Sequence, residues 1–201
     1  MPGEKDWRTI NEVRAEAIVC CRCDLCYTRT NVVFGEGPSP SGMMIVGEGP
    51  GREEDEQGKP FVGAAGRELN KVLSLAGLDR GQIWVTNIVR CRPAMRVDDV
   101  LRNRPPRMEE IKACDLWMSA EVQFVSPKVI VCLGAVPAQA LIGRNFKMED
   151  GRGRWYQSKF SIPTTATYHP AYVLRLRGAD RERIESLMIV DFKTASSKLV
   201  G

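Results

Sequence analysis

No stretch of the sequence is apolar for long enough to cross a bilayer: runs such as Val129 to Gly134 stop far short of the roughly 20 residues a membrane helix needs. The opening Met-Pro-Gly-Glu-Lys-Asp lacks the basic start and apolar run of a secretory signal, so a cytosolic, membrane-free protein is expected. Internal repeats and low-complexity segments are missing too. A chain of 201 residues, 43% hydrophobic and 27% charged, then suits one compact domain, 1–201, with a sizeable core. Histidine is almost absent, His169 standing alone. The glycine-rich turn at 47–51 lacks the G-x-G-x-x-G spacing, and no Gly-Lys-Ser/Thr follows it. Glu53, Glu54, Asp55 and Glu56 come next instead and would repel a polyphosphate, which disfavours a nucleotide-dependent enzyme.

Cysteine, by contrast, is plentiful. Seven cysteines in a reducing compartment, an odd number, argue against a disulfide framework and for metal binding. Cys20, Cys21, Cys23 and Cys26 contain two overlapping C-x-x-C pairs, Cys20 with Cys23 and Cys23 with Cys26. Cys91 and Cys114 complete a possible four-thiolate set, able to hold zinc or a 4Fe-4S cluster, since ligand identity alone does not choose between them. Such a set would clamp the amino-terminal segment to the middle of the chain. Cys132 falls in an expected core strand as a small apolar residue. The net charge of +4 is mild but uneven: Arg90, Arg92, Arg96, Arg102, Arg104 and Arg107 face only Asp98 and Asp99. That stretch is either a solvated loop or a place for a polyanion to dock.

A polar opening over 6–19 is expected to be helical, the short apolar run 43–46 ending at Gly47 reads as a buried strand, helical spacing predicts a helix over 66–76 stopped by Gly77, and 83–89 reads as a second strand. Residues 92–107 show no usable period and are expected to be a long loop. A helix over 108–124, a strand over 129–133, a short helix from Val136, a hairpin region within 151–167 and a helix over 181–199 complete the pattern. Strands alternating with helices predict a three-layer αβα sandwich with a mostly parallel central sheet. Ligands of such sheets sit beyond the carboxyl ends of the strands.

Three strand ends carry chemical handles. Gly47, Gly49 and Gly51 let backbone N–H groups approach a ligand closely, or simply make a tight turn. Asn87 stands where a buried strand would place an apolar residue. Its amide offers a donor beside an acceptor, matching the O4 and N3–H edge of uracil and mismatching the amine of cytosine; the alternative is an amide tying down a loop. His169, in a His-Pro turn, is either packed in a core or able to donate to a developing oxyanion. Phe61, between proline and glycine in a loop, is a stacking platform or a core plug.

With these residues assembled, the sequence resembles the family-4 uracil-DNA glycosylases, the thermostable iron–sulfur class of bacteria and archaea. The likeness runs from about Cys20 to Arg175. It rests on Val32-Val33-Phe34-Gly35-Glu36-Gly37, Gly47-Glu48-Gly49-Pro50-Gly51 with Glu54-Asp55, Gly58-Lys59-Pro60-Phe61-Val62-Gly63, Thr86-Asn87-Ile88-Val89-Arg90-Cys91-Arg92-Pro93 and His169-Pro170-Ala171-Tyr172. Five motifs in register make it highly specific. The resemblance implies a 4Fe-4S cluster with Cys91 and Cys114 as distal ligands, and family spacing favours Cys20 and Cys23 as the near pair with Cys26 spare. The interval from Cys91 to Cys114 is longer than the family leads one to expect, implying an insertion in the Arg-rich segment.

The same resemblance implies a monomer acting on uracil-containing DNA, single- or double-stranded. Gly47, Glu48 and Gly49 would form the turn contacting uracil and the attacking water. Phe61 would stack on the base, Asn87 would read its edge, and His169 would bond uracil O2. Glu48, Glu54 and Asp55 are the candidates for orienting water. The segment from His169 to Arg177 would enter the minor groove, with Leu174 or Leu176 as wedge and Arg175 and Arg177 on phosphates. No lysine in these motifs is placed for a Schiff base, so a monofunctional glycosylase that initiates base excision repair is expected. The rival is a non-catalytic iron–sulfur or zinc DNA-binding module, which would have no use for Phe61, Asn87 and His169.

Overall fold

The computed structural model describes residues 6–199. Thr9 caps the first helix, α1 (Ile10–Ala17), its hydroxyl accepting from the Glu12 N–H at 3.2 Å. A tight helical turn at Asp24–Tyr27 follows. The elements after it are β1 (Met43–Gly47), α2 (Arg52–Gln57), α3 (Ala64–Leu75), β2 (Trp84–Asn87), β3 (Ala94–Val97), β4 (Val100–Asn103), α4 (Met108–Val125) and β5 (Val129–Leu133). Then come α5 (Ala135–Leu141), α6 (Met148–Gly151), β6 (Tyr156–Gln157), β7 (Pro163–Thr167), α7 (Pro170–Val173) and α8 (Gly178–Ser197). None of the described helices is long and apolar enough to cross a membrane.

Four strands run parallel in the order β2-β1-β5-β7, and the short β6 pairs antiparallel at the β7 edge. β1 and β5 are buried at every position, as strands covered on both faces must be. Alternate side chains of β1 enter different cores. Met44 and Val46 pack with Val13 of α1 and with Trp117 and Met118 of α4. Met43 and Ile45 pack with Leu69 and Leu73 of α3 and with Met188 and Phe192 of α8. Helices therefore cover both faces of a mostly parallel sheet, the α/β architecture that the alternation of strands and helices predicts.

Register then positions the site. Gly47 lies level with Asn87, and Leu133 with Thr167, so all four parallel strands finish along one edge and the segments after them gather there.

The segment 92–107 is not the long loop expected. Most of it is an antiparallel ribbon in which Ala94 pairs with Asn103 and Val97 with Val100. Asp98 and Asp99 turn the corner with left-handed backbone, φ 48° and 60°; aspartate adopts this region more readily than most side chains. The two-residue period is hidden because arginine and apolar residues occur on both faces. Smaller differences lie at helix ends: α1 begins at Ile10 rather than Asp6, α8 at Gly178 rather than Arg181, and α7 occupies part of the stretch after His169.

Candidate active site

A cavity of about 310 Å³ opens at the carboxyl edge of the sheet, lined by Glu48, Gly49, Phe61, Asn87, His169 and Arg175 among others. This is the lower end of the size range for small-ligand sites. Gly47 lies beneath it. A Cβ there would come within 2.4 Å of Asn87 Oδ1 and 2.5 Å of Phe61 Cζ, so only glycine lets these two side chains approach.

Asn87 is 2% exposed, and its amide makes no side-chain hydrogen bond among the described residues. It does not tie down a loop; its polar edge is left for whatever enters the cavity. Phe61 holds a left-handed backbone (φ 56°), a costly conformation for a bulky side chain that needs support from its surroundings. Glu54 provides part of it: its carboxylate accepts from Val62 N–H at 3.1 Å, Gly63 N–H at 2.8 Å and Gly51 N–H at 3.1 Å. Gly66 packs so tightly on Phe61 that a Cβ would fall 1.8 Å from its carbonyl oxygen.

Among the three carboxylates considered for water, this geometry separates roles. Glu54 borders the cavity, but its oxygens are committed to backbone N–H groups. Asp55 does not line the cavity. It is buried against the 30–31 backbone, accepting from Thr30 N–H at 2.9 Å and Asn31 N–H at 3.3 Å, away from the cavity in which the expected water would sit. Glu48 remains, half-buried in the wall. Burial pushes its carboxyl up from the ordinary value, and the nearby Arg175 charge partly opposes this.

His169 caps the short α7, its Nδ1 accepting from Ala171 N–H at 3.1 Å. Burial, and secondarily Arg175, pull its pKa down to about 4. The ring is therefore neutral near pH 7, with Nδ1 taken as acceptor, which leaves the proton on Nε2 as a donor. The ring centroids of Phe61 and His169 are 6.2 Å apart. Gly134, at φ 92°, passes close enough that a Cβ would meet His169 Cβ at 3.3 Å.

Sequence reasoning missed part of the wall: Pro93, Asn103, Arg104 and Tyr172 also line the cavity. Arg104 belongs to the arginine-rich stretch already noted as a place for a polyanion, whereas nothing in the sequence marks Asn103, which reaches the cavity only through the ribbon. Tyr172 stood within a quoted motif, and its ring stacks on Tyr168 at 5.6 Å. In the stretch after His169, Leu174 is 39% exposed, whereas Leu176 packs against the core beneath α8. Arg175 and Arg177 are both exposed.

The cysteines also gather. Cys20, Cys23, Cys91 and Cys114 line one small void with Arg29, Arg90 and Trp117, and neither Cys21 nor Cys26 borders it. Three N–H groups aim at its sulfurs: Trp117 Nε1 at Cys20, Arg29 Nη1 at Cys91 and the Arg90 backbone at Cys114, each at 3.3 Å. Burial raises the Cys91 thiol to about 12 and also raises Cys114. Uncompensated thiolates would be costly there, and a bound cation offsets that cost. No three His, Cys, Asp or Glu groups among the described residues form a ready single-ion site. The donor set fits a sulfur-liganded group: four thiols around one space, with donors for their charge. Cys132 is fully buried in β5, as expected of a small apolar residue.

Residues 34–193 match the family model described as the Uracil DNA glycosylase superfamily, and the chain belongs to that superfamily. Within it, the chain is similar to type-4 members. It is 43% identical over 169 residues to the type-4 uracil-DNA glycosylase of Pyrobaculum aerophilum, covering 79% of this chain and 83% of that protein. It is 38% identical over 182 residues to that of Thermotoga maritima, covering 89% and 88%. Against that of Archaeoglobus fulgidus it is 36% identical over 199 residues, covering 92% and 90%.

Proposed function

We propose that the chain is a monofunctional uracil-DNA glycosylase, which takes uracil out of DNA into the cavity and hydrolyses its N-glycosidic bond, the first step of base excision repair. The observation that carries this reading is the meeting of Phe61, Asn87 and a neutral His169 in one cavity, Asn87 and His169 from two strand ends and Phe61 from the loop between α2 and α3. An extruded base would stack on Phe61 while the Asn87 amide pairs with its O4 and N3–H edge. Cytosine presents an amine where uracil presents O4, leaving a buried donor opposed, which is how such a site discriminates.

Cleavage sends the bonding electron pair to uracil N1 and leaves positive charge on the sugar. His169 Nε2–H would donate to uracil O2 as that negative charge develops, a preorganised electrostatic contribution. Glu48 would hold the water whose oxygen bonds to the sugar carbon and accept its proton, while its charge favours the cationic sugar. Leu174 would fill the vacated stack, and Arg175 and Arg177 would engage phosphates. Cys20, Cys23, Cys91 and Cys114 would hold a 4Fe-4S cluster, which supplies a structural clamp. Support for the cluster comes from the four thiols and their three N–H donors.

The test is release of free uracil from a duplex carrying one uracil, with the strand staying intact until alkali is added. No release overturns the reading, and nicking without alkali removes the monofunctional part. His169→Ala and Asn87→Ala should each slow single-turnover release on the order of tenfold to a thousandfold with folding retained.

A further inference from the structure

Phe61 brings its ring against Gly47 on a backbone that bulky side chains do not adopt unaided (φ 56°). We infer that Arg80, which lies outside the cavity wall, is a positioning residue for that ring: its guanidinium and the Glu54 carboxylate clamp the Phe61 backbone from both sides. The inference rests on the reading of the cavity as a uracil site with Phe61 as its stacking platform.

A residue has two soft dihedrals, each set by one of the peptide planes that flank it. The plane before Phe61 carries the Pro60 carbonyl, and Arg80 Nη2 donates to that oxygen at 2.9 Å, which fixes φ. The plane after it carries the Val62 N–H, which donates to Glu54 Oε1 at 3.1 Å and fixes ψ; Gly63 N–H adds a bond to the same oxygen at 2.8 Å. Both sides of the clamp are charge-assisted, the stronger kind of hydrogen bond. Without Arg80 the plane between Pro60 and Phe61 would turn towards the negative φ that phenylalanine prefers, and the ring would leave Gly47 and Asn87.

Stability alone is a weak account of Arg80. The side chain is half-buried, the bond to Pro60 is its one side-chain hydrogen bond among the described residues, and Nη1 is buried with no partner. A guanidinium that gives up water for one bond and an orphaned donor gains little net stability, so its use lies in where it holds Pro60. Burial lowers its pKa, and the Glu36 carboxylate opposes the fall. Glu36 is itself fixed to β2 by a reciprocal backbone pair with Val85, at 2.8 and 3.0 Å. Glu36 of the 34–37 motif thereby acquires a use: it supports the charge of an arginine that steadies the base platform without touching a base.

A second arginine on the same loop provides the contrast. Arg67 Nη1 donates to the Val62 carbonyl at 3.3 Å, but its side chain is exposed and also faces Glu53 at 3.6 Å. Water competes for that bond, and the Val62 carbonyl lies in the peptide plane after Val62, which sets neither dihedral of Phe61. Arg67 therefore decorates the loop, whereas Arg80 and Glu54 fix its one strained residue.

The test is a double-mutant cycle in single-turnover uracil release at saturating enzyme. Arg80→Gln should slow release roughly tenfold while affinity for a uracil-free duplex stays within about twofold, since stacking acts only on the extruded base. In a Phe61→Ala background the same change should cost no further rate, because the ring it positions is gone. Arg80→Lys, which keeps the charge but not the planar fork, should lie between wild type and Arg80→Gln, and its deficit should vanish in the same background, so the cycle stands even where Arg80→Gln does not fold. Arg67→Gln should stay within about twofold of wild type. A wild-type rate in Arg80→Gln, full additivity with Phe61→Ala, or an equal loss in Arg67→Gln overturns the inference. A wild-type protein that releases no uracil counts against the glycosylase reading alone. The clamp is then judged by amide hydrogen exchange at 61–63, which should quicken in Arg80→Gln and hold in Arg67→Gln; unchanged exchange in Arg80→Gln overturns it.

Discussion

Glu48 and His169 face the same cavity, yet burial moves them to opposite sides of the usual order, because each loses the stability of its charged form. Burial raises the Glu48 carboxyl and lowers His169 to about 4. The proposed mechanism needs Glu48 ionised and His169 neutral. As pH falls, Glu48 takes up its proton first, above the ordinary range for glutamate, and His169 follows only near 4. The acid limb of single-turnover uracil release therefore belongs to Glu48. Glu48→Gln should lower the neutral-pH rate by on the order of 10²–10³ and flatten that limb; an unchanged limb in this variant removes Glu48 from the role. Arg175 opposes the rise of Glu48 and adds to the fall of His169, so Arg175→Gln should move the limb towards neutral pH, and a shift the other way would contradict the assignment. Asn87→Asp exchanges the donor amide for an acceptor and should narrow the preference for uracil over cytosine, measured as the ratio of their release rates. Asn87 and His169 were readable from the chain because a polar residue at the end of a buried strand is an anomaly with few explanations. The division of labour among Glu48, Glu54 and Asp55 was not. Side-chain direction after a glycine turn follows no period, and Glu54 shows its use only through the amides of Val62 and Gly63, eight and nine residues further on.

Elements that bury a face announced themselves, and those that do not remained hidden. β1, β5 and α4 stand close to their expected bounds because burial marks their sequences, as an unbroken apolar run in each strand and a helical repeat in α4. The ribbon packs neither face into a core, so nothing enforces alternation in 94–103, and the five arginines and three prolines of 92–107 suggested a loop. The cysteine segment lies between these cases: its two C-x-x-C pairs are equivalent as pairs, the resemblance favours Cys20 with Cys23, and folding brings those two, not Cys26, to the void shared with Cys91 and Cys114. Cys20→Ser or Cys114→Ser should abolish the visible absorbance of a thiolate-bound iron cluster and lower the melting temperature, since the clamp between residues 20–23 and the middle of the chain is lost. Cys26→Ser should retain both. Colour lost in Cys26→Ser and kept in Cys20→Ser would reverse the choice of pair.

Across the whole molecule, one buried ion pair joins the sheet to the cysteine void. Arg90 and Glu121 are 1% and 0% exposed, with Arg90 Nε donating to Glu121 Oε1 at 3.2 Å. Glu121 also accepts from Trp84 Nε1 at 3.0 Å and Gly35 N–H at 3.3 Å, while Arg90 reaches Ile88 O at 3.1 Å and sends its backbone N–H to Cys114. These contacts link β2, α4, the 34–37 motif and the thiols. Removing one partner would strand the other charge in the core, a loss of about 3–5 kcal/mol. At about 2–4 °C per kcal/mol for a chain of this size, Glu121→Ala should melt roughly 6–20 °C below wild type. The surface pair of Lys159 and Asp115, with side chains 36% and 42% exposed, provides the contrast. Water already solvates both charges, so Asp115→Ala should cost less than about 1 kcal/mol. Because Glu121 does not line the cavity, Glu121→Ala assayed well below its melting point should keep its uracil selectivity while losing stability. Equal melting shifts for the two variants would mean that the buried pair is not what joins these elements.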